Sequence, residues 1–202
     1  MNPPFASSLC GLILAGGRSV RMGRDKASLV HPDGRTLARR CYDLLRAAGC
    51  GMIAVSLRHE QEIPTGLADL EDLQIIRDPA GESLGPMVGM VTGMSLRPSA
   101  DWLVLACDLP RLDLETLHHL TSSIQPGEPF IAYRSEFDAL PEPLCTLYTP
   151  AALLLLKQAQ ADDLRCPRKV LIRNGCRLLD PVSLGALDNA NTPEEWENAI
   201  TS

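Results

Sequence analysis

No stretch of the 202-residue sequence stays apolar for the ~18–20 residues a membrane helix needs; the longest candidate, Ala151–Leu156, is far too short. The opening residues, MNPPFASS, carry neither the basic start nor the long apolar core of a secretory signal. Positive charge is also scarce: 19 Lys and Arg stand against 25 Asp and Glu, giving −6 and a pI near 5.2. That balance argues against a general binder of nucleic acid or anionic membrane, while leaving room for a local basic pocket. The seven cysteines, at 10, 41, 50, 107, 145, 166 and 176, include no CxxC pair. Zinc-ribbon and thioredoxin spacings are therefore both missing. Most of these cysteines lie in apolar stretches such as LCGLILA and VLACD, which reads as buried, reduced thiols in a reducing compartment. With 45% hydrophobic and 22% charged residues, wholesale disorder is excluded. The expectation is a soluble, cytoplasmic protein with one domain over residues 1–202, no membrane association and no nucleic-acid partner.

What is present is an alternation of strand and helix. Leu9–Ala15, Met52–Leu57, Leu73–Ile76 and Trp102–Ala106 are short, continuously apolar runs, as in parallel strands covered on both faces. Thr36–Ala48 places Leu37, Cys41, Leu44, Leu45 and Ala48 on one helical face and stops at Gly49; Asp113–Ile124 repeats the pattern. Such βαβ units imply an α/β fold, a three-layer, open and mostly parallel sheet of the Rossmann-like kind. Further on, Phe130–Arg134 and Leu144–Tyr148 read as strands. The prolines and acids of Ser135–Pro143 between them predict a loop. Pro150–Ala161 and Arg168–Arg173 read as helices. Thr192-Pro193-Glu194-Glu195 opens a last helix with an N-cap, a proline at the first position and a glutamate three residues after the cap.

In an open α/β sheet, ligands bind beyond the carboxyl ends of the strands. Those ends read AGGRSVRMGRDK, SLRHE, RDP and CDLP. The first is the most informative. It fits neither the Walker A loop nor the GxGxxG fingerprint. Yet paired glycines that let backbone N–H groups approach an anion, with Arg18, Arg21, Arg24 and Lys26 to neutralise it, are the chemistry of phosphate binding.

The stretch LAGGRSVRMGRDKA resembles the signature loop of the MobA-like nucleotidyltransferases, and the resemblance continues in the family's order through IIRDP, GPMVG, ACDLP, PEPLCTLY and NANTPEE. It implies a GT-A-like nucleotidyltransferase fold and transfer of a nucleoside monophosphate from an NTP. The Asp25-Lys26 ending is most similar to the guanylyl branch, which joins GMP from GTP to the terminal phosphate of molybdopterin and releases pyrophosphate. By position, the resemblance implies nucleotide binding by Leu14, Ala15, Gly16, Gly17, Lys26, Asp78 and Asp108, with Lys26 and Arg21 as the catalytic charge stabilisers. It also implies magnesium on Asp108, with Asn191 as a second ligand. GTP and molybdopterin are the implied small-molecule partners, and other proteins of molybdenum cofactor biosynthesis the implied protein partners. One departure is Val55-Ser56, where the guanylyl branch often has Asn. A cytidylyl- or sugar-phosphate nucleotidyltransferase on the same fold, and a non-catalytic nucleotide-binding module, are the alternatives. Retention of both Lys26 and Asp108 argues against the last.

The implied chemistry needs little from the protein beyond charge and position. A phosphate acceptor is already anionic at neutral pH, so no strong general base is required and the four histidines need no role. Magnesium keeps several waters, so one Asp and one further oxygen suffice. Asp78, an acceptor when ionised, could read the N–H donors of guanine or bond the ribose. Gly85, Gly89 and Gly93 recur at helical spacing behind Pro86, suited to close approach to a nucleotide or a packed neighbour. Arg165, Arg168 and Lys169 form a second basic cluster, with two readings: an anion pocket or a solvated helix face.

Overall fold

The computed structural model describes residues 9–17, 25–79 and 85–201. Each apolar run becomes a strand: β1 (Cys10–Leu14), β2 (Met52–Leu57), β3 (Leu73–Arg77) and β4 (Trp102–Ala106). All four are parallel, with β1 between β2 and β4 and β3 outside β2. The sheet continues through β6 (Pro141–Tyr148), β5 (Phe130–Arg134) and β7 (Arg177–Leu179), giving seven strands in the order β3-β2-β1-β4-β6-β5-β7. Only β6 runs antiparallel to its neighbours.

Alternation of side chains along the strands feeds two cores. Ile13, Leu103 and Leu105 point to one face, where they meet α1 (Leu37–Ala47) and α3 (Leu114–Ser122). Cys10, Leu12, Trp102 and Val104 point to the other, against α2 (Pro86–Leu96), α4 (Pro150–Ala161) and α5 (Pro167–Asn174). Three layers follow directly from period-2 strands with both faces apolar. A third, small cluster of Leu29, Leu37, Ala190 and Trp196 joins the start of α1 to the last helix, α6 (Pro193–Thr201).

Two expectations need correction, and one strand was not anticipated. The stretch Ser135–Pro143 is not all loop: β6 begins at Pro141, and its pairing with β5 shifts register between Ala132 and Arg134. Pro141 starts the strand, where a missing N–H costs no ladder bond, and the shift absorbs the irregularity. The strand β7, three half-buried residues without alternation, has no sequence signal of its own. Cys166 is exposed, at the N-cap of α5, whereas Cys10, Cys41, Cys50, Cys107 and Cys145 are buried as expected.

Candidate active site

The chain leaves β1 toward β2 on one side, then returns to β4 on the other. The gap above β1 is therefore a topological switch point, where α/β sheets open a crevice. A cleft of about 400 Å³ lies there. Leu14, Ala15, Gly16 and Gly17 line it from β1, Ser56 from β2, Asp78 after β3, and Ala106, Cys107 and Asp108 from the end of β4. Asp25, Lys26, Asn189 and Asn191 complete the rim, with Gly85 and Pro86 at the start of α2.

The turn after β1 is held in place from behind. Ala15 N–H donates to Ser56 O at 3.0 Å, extending the ladder by one residue. The Arg58 guanidinium donates to the carbonyls of Gly16, at 3.0 Å, and Gly17. The buried Gln61 amide donates to Ala15 O at 2.9 Å and Asp25 Oδ2 at 2.7 Å, and its oxygen accepts Arg58 N–H at 3.1 Å. With the carbonyls tied to Arg58, the other side of the turn faces the cleft. A Cβ on Gly16 would make only ordinary contacts and one on Gly17 would meet nothing within 4 Å. Packing against the described residues does not demand glycine at either position.

Lys26 is the first residue of a short 3-10 turn capped by Asp25, whose Oδ1 accepts Ala27 N–H at 3.0 Å. Its Nζ donates to Asp108 Oδ2 at 3.0 Å and to Asn191 Oδ1 at 2.6 Å. These partners stand 82 and 165 residues away in the chain. The meeting is built by the segment 189–191: Ala190 N–H donates to Asp108 O at 3.0 Å, and Ala190 packs against Leu29 in the small third cluster. The capping box read from the sequence anchors it. Glu195 Oε2 accepts the Thr192 N–H at 3.1 Å and the Asn191 N–H at 2.6 Å, and Thr192 Oγ1 accepts Glu195 N–H at 3.2 Å.

Burial raises the Asp78 carboxyl above its ordinary value, partly offset by the Arg58 guanidinium. Burial likewise pushes the Cys107 thiol well up, so this cleft-lining sulfur stays protonated and a poor nucleophile. No histidine lines the cleft among the described residues. The N-terminus of α2 opens onto it, capped by Gly85 at φ 75°, a conformation that favours glycine. Gly89 and Gly93 behind it serve packing: Gly89 faces Ser56, and Gly93 faces Leu12 and Ile76.

The structure thus brings Leu14, Ala15, Gly16, Gly17, Lys26, Asp78, Asp108 and Asn191 to one cleft. Arg18, Arg21 and Arg24 lie outside the described residues. The second basic cluster does not form an anion pocket. Arg168 is paired with Asp138 at 2.8 Å and Glu142 at 3.2 Å, Arg165 with Asp163 at 2.8 Å, and Lys169 is exposed. Sequence reasoning gave no role to Arg58, Gln61 or Asn189. Arg58 and Gln61 act on backbone carbonyls, which leave no side-chain pattern to read.

Comparison with known proteins agrees with this architecture. Residues 11–177 match the model of the MobA-like NTP transferase domain. A molybdenum cofactor biosynthesis bifunctional protein of Synechocystis sp. is 38% identical over 188 residues, 93% of this chain; the chain spans about half that relative's length, 52%. A molybdenum cofactor guanylyltransferase of Pseudomonas aeruginosa is 30% identical over 191 residues, covering 93% of this chain and 92% of the relative. In structure, the molybdopterin-guanine dinucleotide biosynthesis protein A of Archaeoglobus fulgidus superposes with a TM-score of 0.73 at 21% identity, over 95% of this chain and 96% of that one. With the family's model matched over most of its length and the expected residues gathered at the switch point, the chain belongs to the MobA-like NTP transferase family.

Proposed function

We propose that this protein transfers GMP from GTP to the terminal phosphate of molybdopterin and releases pyrophosphate. The observation that carries the reading is the Lys26 ammonium, fixed at 3.0 Å from Asp108 and 2.6 Å from Asn191 beside an open glycine turn. The names of the relatives supply the acceptor.

The backbone of Gly16 and Gly17, the start of α2 and Lys26 receive the triphosphate. An oxygen of the acceptor phosphate attacks the α-phosphorus. The bond from that phosphorus to the oxygen bridging to the β-phosphate breaks, and pyrophosphate leaves with the electron pair. No proton has to be removed from the attacking group, which agrees with a cleft holding no histidine among its described residues and a protonated Cys107. Lys26 neutralises charge that grows on the phosphates, and Asp78 accepts hydrogen bonds from the nucleoside.

The donors at the rim suit a hard cation. A carboxylate oxygen of Asp108 and the amide oxygen of Asn191 already converge on one ammonium. No group of three His, Cys, Asp or Glu able to hold a metal occurs among the described residues, so a magnesium ion here would draw the rest of its oxygen ligands from phosphate and water. Asp108 and Asn191 would hold the ion, and the charge it would supply there is further neutralisation of the phosphates. The test is pyrophosphate release from GTP with molybdopterin as acceptor. Release is expected to require the acceptor and to cease when EDTA removes the metal. GTP binding without acceptor-dependent release contradicts the reading in favour of a non-catalytic module.

A further inference from the structure

Gln61 is a buried polar side chain beside the nucleotide cleft, and it is not among the residues that line it. Its amide nitrogen carries two N–H groups, and both are engaged. One donates to Ala15 O at 2.9 Å and the other to Asp25 Oδ2 at 2.7 Å. Ala15 leads into the Gly16-Gly17 turn, and Asp25 caps the short turn that begins with Lys26. One side chain thereby ties together the two parts of the cleft that receive the triphosphate, the backbone of the glycine turn and the ammonium. The amide oxygen accepts Arg58 N–H at 3.1 Å, and the Arg58 guanidinium holds the carbonyls of Gly16, at 3.0 Å, and Gly17.

The segment that carries Arg58 and Gln61 is itself anchored from the edge of the sheet. Gln61 N–H donates to Arg58 O at 3.2 Å, closing a turn directly after β2. Arg77, the last residue of the edge strand β3, sends one guanidinium nitrogen to the carbonyls of Arg58, His59 and Gln61, at 3.2, 3.0 and 2.7 Å. Bonds thus run from an exposed arginine on β3, through this turn, to the glycine turn after β1. None of Arg58, Gln61 and Arg77 lines the cleft, so their work is on backbone and not on substrate. A buried polar network with its partners in place fixes geometry in this way. Asp78, which does line the cleft, is held separately by its own N–H on Leu57 O at 2.9 Å.

We propose that Gln61 is a positioning residue for nucleotidyl transfer, a clamp that holds the glycine turn and Lys26 at the separation the triphosphate requires. This inference rests on the transfer reading above. Donors fixed before the ligand arrives need no reorganisation as charge grows on the phosphates, which is where electrostatic catalysis gains most. Glutamate has nearly the shape of glutamine and, when ionised, no N–H donor. At position 61 its carboxylate would face Ala15 O and Asp25 Oδ2, turning the clamp into repulsion while Arg58 N–H keeps an acceptor.

The experiment uses the full chain at alkaline pH and measures three quantities: GMP transfer to molybdopterin, binding of pyrophosphate and binding of guanosine. Gln61→Glu is expected to lower kcat/KM for GTP by about a hundredfold, the scale for a misplacement of about 1 Å. It should weaken pyrophosphate binding and leave guanosine binding at the wild-type value, a split that general loss of structure does not produce. Arg77→Ala, at an exposed position outside the cleft, should move kcat/KM and pyrophosphate binding in the same direction by a smaller factor. Wild-type values of both in Gln61→Glu, or in Arg77→Ala where Gln61→Glu does not fold, overturn the clamp and leave the transfer reading standing. An equal loss of guanosine and pyrophosphate binding overturns it in favour of a purely structural role. If the wild type transfers no GMP to molybdopterin, the transfer reading itself fails and takes the clamp's role with it.

Discussion

At the scale of single residues, Lys26 joins two functions that mutation separates. From its sequence position alone, an exposed loop, its removal costs little stability. In the structure its side chain is only 12% exposed and paired with Asp108, so Lys26→Ala should cost about 1 kcal/mol, or ~2–4 °C of melting temperature. The rate effect should be far larger, a fall in kcat of about 10²–10³, as for loss of one preorganised charge. Turnover and thermal melts on the same sample check both numbers. Asp108→Asn breaks the same ion pair, so it should lower stability slightly rather than leave it untouched. A magnesium titration should shift to higher concentration in that variant. Asp78 carries the opposite sign. Burial raises its folded-state pKa above the ordinary 3.8, so the native state binds the proton more readily than the unfolded chain. Its contribution is therefore most favourable in acid and is lost as pH rises through the raised value. Asp78→Asn should melt at or above the wild type at neutral pH, with the gap closing below the unfolded pKa, while GTP affinity falls. Melts at two pH values and a GTP titration decide it.

At the scale of elements, α2 shows how a helix is fitted to a strand through the absence of a side chain. A Cβ on Gly89 would lie 2.8 Å from Ser56 Cβ and closer still to Ser56 Oγ. Overpacking of this kind costs about 1–3 kcal/mol and outweighs the ~1 kcal/mol of helix propensity that alanine brings. Gly89→Ala should therefore lower stability and disturb the cleft wall, and adding Ser56→Gly should restore part of the loss. Denaturant unfolding of the two single variants and the double variant measures that coupling. The same pair shows what a sequence can convey. The spacing of Gly85, Gly89 and Gly93 marks a close approach, but not that the partner of Gly89 is Ser56 on β2. Strands β1, β2, β4 and β5 and helices α1, α3 and α4 were legible because each is amphipathic, or apolar on both faces, over its own length. The start of β6 and the whole of β7 were not. Their pairing depends on β5, a non-local contact that no local pattern reports.

At the scale of the molecule, the site exists because the sheet reverses order at β1. Lys26, Asp108 and Asn191 were each legible as chemistry, since each sits at a strand end or a capping motif. Their contact across 82 and 165 residues of chain was not, because it is made by Ala190 bonding to Asp108 and packing into the third cluster. Of the two readings of the cluster at Arg165, Arg168 and Lys169, the anion pocket is set aside by pairing that the sequence does not show. Asp138 and Glu142, which neutralise Arg168, are distant in sequence and arrive with the β5–β6 hairpin. The central claim is the identity of the transferred group, and the whole protein is needed to test it. The most direct measurement offers GTP, CTP, ATP and UTP together at equal concentration, with molybdopterin and magnesium, and identifies the product by mass. The account predicts a GMP conjugate of molybdopterin formed with an equal quantity of pyrophosphate; a CMP conjugate, or no conjugate at all, contradicts it.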